Sequence, residues 1–180
     1  MTFRRRGLLG LPLLALAGNA HAQTKLAVPL AWYGVRVEDN AFTVEMPGVP
    51  DHRVVNDAST RGTAFQLHSY SLEVGGYSYV AQTALYPADV DVSQPRTILQ
   101  AALNGRAQQL VGHQWTRSDW RVIGGATAVE SIGALAGGNA LRQINLLKAR
   151  RLVSLAFLGN AAGATGVEAE RFFKSLKLAA

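Results

Sequence analysis

The 180-residue chain contains no cysteine. That excludes disulfide staples, thiolate zinc sites, a cysteine nucleophile and a lipidated N-terminal cysteine. Charge is sparse as well, with Asp, Glu, Lys and Arg forming 17% of the residues and 18 Lys plus Arg set against 12 Asp plus Glu. Arg4, Arg5 and Arg6 belong to an N-terminal segment that reads as removable, and without them 15 basic residues face 12 acids, a net charge of about +3. So small and scattered a surplus lacks the basic stripe of a nucleic-acid binder. The leading apolar run, Leu8 to Ala17, has ten residues, whereas a helix needs roughly 20 to span a bilayer. Catalytic signatures are missing too: no G-x-S-x-G elbow, no G-x-G-x-x-G entering a helix and no Walker lysine. No motif names a reaction or a cofactor, and none is expected.

The N-terminus, residues 1–22, reads as a cleaved export signal. Arg4-Arg5-Arg6 is its cationic start, Leu8 to Ala17 its apolar stretch, and Ala20-His21-Ala22 a small-x-small cleavage site. The mature chain then begins at Gln23 without a transmembrane span, in the periplasm or secreted. Arg5-Arg6-Gly7-Leu8-Leu9 also resembles the twin-arginine signal, although Arg4 stands where that signal usually has Ser or Thr. The general secretory and twin-arginine routes both remain open.

Residues 23–40 form a lead-in segment, either a strand or a loosely packed arm, and residues 41–180 have the size of one domain. Ala41 to Met46 alternates, with Phe42, Val44 and Met46 on one side, as in a half-buried strand. Pro47 and Pro50 end it. His52 to Asp57 is a second strand. Thr63 to Val74 and Tyr77 to Tyr86 flank Gly75-Gly76, which suits a tight turn at positive φ. That turn sets Leu72 opposite Tyr79, Tyr70 opposite Ala81 and His68 opposite Thr83. After Pro87 a helix is expected, capped by Ser93 with Pro95 in its first turn. Ile98, Leu99, Ala102, Leu103 and Leu110 share its apolar face, and Gly112 ends it.

Hairpins resume at His113 to Ile123, with a turn at Gly124-Gly125, then Ala126 to Leu135, Ala140 to Lys148 and Leu152 to Leu158, the most apolar strand. Residues 159–164 read as a small, flexible loop. Thr165 and Glu168 have capping-box spacing before a last helix, whose Ala169, Phe172, Phe173 and Leu176 form an apolar stripe. Burying both rings against a sheet is worth roughly 3–6 kcal/mol. The fold class is α+β, an antiparallel sheet of hairpins covered on one face by the middle helix and the C-terminal helix.

Phe42-Thr43-Val44-Glu45-Met46-Pro47-Gly48-Val49-Pro50 resembles the F-x-V-x-x-P-x-x-P opening of small exported bacterial proteins. Ala169 to Leu178 resembles their closing helix, which runs into a short final strand. The arrangement is similar to the PsbP-like α/β sandwich. Members of that fold mostly act by binding or helping to assemble other proteins. The resemblance therefore implies an envelope protein partner and no catalytic residue.

Among residues with chemistry, His52, His68 and His113 lie far apart and show no metal-site spacing along one element. Ser131, Asp119 and the histidines prompt a further alternative, an unrecognised hydrolase, although Ser131 sits in a strand rather than at an elbow. Glu130 is the acid inside a mostly apolar run, with Arg142 on the next strand as its available partner. A turn centred on Gly137-Gly138 puts Glu130 opposite Asn145 and Arg142 three residues out of register. His113 to Arg121 carries the candidate interaction surface, Trp115, Arg117, Trp120 and Arg121. Arg and Trp are enriched at interface hot spots. In a regular strand Trp115, Arg117 and Arg121 share one side and Trp120 takes the other. The apolar excess at Leu146, Leu147, Val153, Leu155 and Phe157 opens an alternative, a small-molecule or lipid carrier with a pocket between sheet and helices.

Overall fold

The computed structural model describes residues 31–109 and 114–179. The leader, its cleavage site, His113, Leu110 and Gly112 lie outside the described residues.

Hairpins build the main sheet. Strands β3 (Asp51–Ala58), β4 (Ala64–Val74) and β5 (Tyr77–Leu85) form one antiparallel run, and β6 (Gln114–Ile123), β7 (Ala126–Ala134), β8 (Asn139–Lys148) and β9 (Arg151–Asn160) form another. The runs join where β9 pairs with β5, giving the seven-stranded order β3-β4-β5-β9-β8-β7-β6. The most apolar strand is thus the central one. Gly75, Gly76, Gly124 and Gly125 all have positive φ, and the register sets Leu72 opposite Tyr79 and His68 opposite Thr83 as expected. A smaller sheet combines β1 (Tyr33–Arg36), β2 (Phe42–Met46) and β10 (Lys177–Leu178) in the order β1-β2-β10. β1 lies inside the lead-in segment, and β10 is the short closing strand.

The fold is α+β, but its two longer helices are divided between the sheet's faces. Every second residue of each strand points to the front, where Tyr79, Ile144, Leu155 and Phe157 pack with β2 and with α3 (Val167–Lys174). Phe172 and Phe173 are 0% and 5% exposed. On the back, α1 (Pro95–Gln109) sets Leu99 and Leu103 against Leu67, Val129, Leu147 and Leu152. The single-faced cover expected from sequence fails because both parities of β8 and β9 are buried. Each face then needs its own layer.

Four local expectations change. Gln94 precedes the first residue of α1 and its carbonyl accepts from Thr97 N, while the Ser93 amide turns back to Asp91 Oδ1. Thr165 and Glu168 make no capping box: Gly166 is the N-cap of α3 without a side-chain cap. The stretch read as a loop contains a one-turn helix, α2 (Ala161–Ala164), whose Gly163 N donates to Asn160 Oδ1 at 2.7 Å. Residues Ala136–Gly138 form a 3-10 turn, which shifts the β7–β8 register so that Glu130 faces Ile144 rather than Asn145.

Candidate functional site

The β6 edge is decided by one extra residue. Trp115 pairs with Gly133 and Arg117 with Ile132, so Thr116 is a bulge. A bulge reverses the parity of what precedes it. Trp115 therefore joins Trp120 on the back instead of sharing the arginines' side. Trp115 Nε1 donates to Leu103 O at 3.3 Å, and Arg96 lies 5.3 Å over the Trp120 ring. Both indoles pack against the back-face cluster beneath α1. Arg117 and Arg121 face the front, with side chains 52% and 43% exposed. The four-residue surface read from sequence is thus split across the sheet.

The two arginines converge on Glu130, which is 3% exposed. Arg121 pairs with Glu130 Oε2, and Arg117 Nη2 lies 3.9 Å from Oε1. Arg142 Nε donates to Glu130 Oε1 at 2.7 Å. It stands diagonally across β7–β8, two residues from Ile144, within reach of a long side chain. Its Nη1 donates to Ala164 O at 3.2 Å and to Glu170 Oε1 at 2.6 Å, and its guanidinium covers the Phe173 ring at 4.6 Å. Arg142 thus ties β7, β8, α2 and α3 together. Hydrogen bonding to Arg142, ahead of Lys174, holds Glu170 below the usual carboxylate range. Arg117 Nε completes the strip by donating to Asp119 at 2.8 Å.

Among the described residues the hydrolase material does not assemble. Ser131 is buried on the back and takes a 3.3 Å hydrogen bond from Ser118 Oγ, whereas Asp119 faces forward in its pair with Arg117. The residues named for a carrier pocket are consumed by packing: Leu146, Val153, Leu155 and Phe157 in the front core, Leu147 in the back one.

Two histidines do meet. β3 and β4 pair His52 with Tyr70 and Val54 with His68, which makes the imidazoles diagonal neighbours. Nothing in the sequence between them marks the register as clearly as a glycine pair does. The available signal was Gly62, whose positive φ closes the β3–β4 hairpin. Beneath α1, Arg106 is 6% exposed, and its Nη1 has no partner among the described residues. Burial pulls its pKa down to about 10. The gap beside it, about 10 Å³ between Ala102, Gln143 and Asn145, has room for about one water.

No family model matches this sequence, and no curated protein does. Solved structures do match. The solution structure of cyanobacterial PsbP (CyanoP) from Synechocystis sp. PCC 6803 superposes with a TM-score of 0.57 at 9% identity, covering 89% of this chain and 98% of that one. The fold is PsbP-like. A Pseudomonas aeruginosa protein of unknown function, PA94, matches at a TM-score of 0.42 and 15% identity over 74% of this chain and 85% of its own. Among the described residues no helix is long and apolar enough to cross a membrane.

Proposed function

We propose that this chain is an exported, non-enzymatic binding or accessory protein of the cell envelope. Residues 1–22 are its cleaved leader, 23–40 its lead-in and 41–180 one domain. It docks an acidic segment of an envelope protein through the front of β6. The export reading rests on the three-part leader, and the accessory reading on the PsbP-like architecture.

The observation that carries the docking reading is the pair Arg117 and Arg121. Both guanidinium groups stand half-exposed on the outermost strand, yet each is oriented by a carboxylate, Arg117 by Asp119 beside it and Arg121 by the buried Glu130. Arginines held this way lose little side-chain freedom on binding, the property that favours them at interface hot spots. A partner carboxylate can accept from the guanidinium nitrogens that Asp119 and Glu130 leave free.

The test compares wild type with Arg117→Glu and Arg121→Gln in capture from envelope extract, beside an unrelated exported control. One acidic partner should be enriched by wild type, released by salt, and lost from both variants while their melting temperatures stay near wild type. Equal capture by all three proteins removes this reading. N-terminal sequencing of exported material should begin at Gln23.

A further inference from the structure

We infer that Glu38, His52 and His68 form a binding site for a divalent transition cation of the Zn2+ class, at the opposite end of the sheet from the β6 arginines. The donors come from three places: the 3-10 turn Glu38–Asn40, strand β3 and strand β4. His52 Nε2 lies 3.3 Å from His68 Nδ1, and His68 Nδ1 lies 3.7 Å from Glu38 Oε2. All three ligand atoms fall within 4.8 Å of one another. A tetrahedral Zn2+ with bonds of about 2.0–2.1 Å needs donor atoms roughly 3.3–3.4 Å apart. The imidazole pair already has that separation, and a small swing brings the carboxylate to it. Two imidazoles and one carboxylate suit zinc and its neighbours, whereas Mg2+ and Ca2+ prefer all-oxygen sets.

The donors are held from behind. The His52 ring stacks on Tyr70, with centroids 4.3 Å apart and planes 11° apart. The 3-10 turn is closed by Ala41 N donating to Glu38 O at 3.1 Å, and its Asp39 is anchored by Arg151 at 3.2 Å. Three protein ligands leave one coordination position for water or a further ligand. His68 borders a surface depression of about 290 Å³, also lined by Asp39, Tyr86 and Arg151, which gives such a ligand room.

Without a metal, one imidazole can donate to the other, and the pair then serves only as a cross-strand hydrogen bond. The experiment separates these roles. The protein, purified without an affinity tag and stripped with a chelator, is titrated with ZnCl2 by calorimetry and with CoCl2 by visible absorption. We expect one equivalent of Zn2+ to bind, and Co2+ to show tetrahedral bands that Zn2+ abolishes. His52→Ala and His68→Ala, which remove ligands outright, should each weaken binding at least about 100-fold, and Glu38→Gln at least about 10-fold, since loss of an outer-shell partner alone costs roughly 10–100-fold. His113→Ala should leave it unchanged. Far-UV circular dichroism checks that each variant is folded. Absence of saturable Zn2+ binding, or undiminished binding by a folded His52→Ala/His68→Ala double variant, overturns the assignment.

Discussion

Arg142 shows how much one residue can organise. It is buried, it satisfies Glu130 inside the sheet, and it reaches Glu170 on α3. Glu170 titrates at the edge of this network. Its folded pKa is depressed from the ordinary 4.5, so its contribution is present above that value and is lost as pH falls through the folded one. Its side chain is 36% exposed, and solvent screening keeps the effect near that of a surface pair, about 0.5–1 kcal/mol. Glu170→Gln should therefore lower stability by that amount at pH 7, with the difference shrinking as pH falls through the folded pKa. Urea melts over a descending pH series measure this, and a deficit that does not shrink in acid would contradict the linkage.

Strands carry the argument at the scale of the element, because alternation decides which layer each residue joins. Thr116 is the one residue out of step in β6, and it sends Trp115 to the back, beneath α1. Deleting Thr116 places Trp115 directly before Arg117, so strict alternation leaves the indole opposite Gly133 on the back. The strand then loses its extra residue and keeps the Trp115 contact to Leu103 O. Trp115→Phe should therefore be equally costly, about 1–3 kcal/mol in urea denaturation, with and without Thr116. A cost that vanishes in the deletion would mean that the bulge itself, and not the pairing with Gly133, places the indole.

In the molecule as a whole, the central strands β5, β9, β8 and β7 are shared by both layers. Tyr79 and Ala81 of β5 serve the front core, while Ala84 of the same strand serves the back one. Neither layer can dissolve without exposing the strands that support the other. Phe172→Ala in front should destabilise by about 3–5 kcal/mol and Leu103→Ala behind by about 2–5 kcal/mol. Each should shift one transition in which tryptophan fluorescence and far-UV circular dichroism coincide. Separate transitions for the two probes would show that the layers unfold independently.

Local patterns in the sequence determined a good part of this. Glycine pairs need positive φ and so located two hairpin turns with their register, and the Phe172-Phe173 stripe demanded an apolar sheet beneath it. The opening Phe42 to Pro50 and the closing helix carried the PsbP-like resemblance. Tertiary structure alone decided the rest. Which face α1 covers follows from burial on both sides of β8 and β9, a long-range result that strand periodicity cannot express. A single bulge divided the Trp and Arg of β6, and the 3-10 turn at Ala136–Gly138 moved Arg142 into reach of Glu130. The meeting of Glu38 with His52 and His68 required the register of β3 on β4 and the approach of the turn before β2. Chemistry between residues distant in the chain depends on such pairings, because one residue of slip sends a side chain to the opposite face.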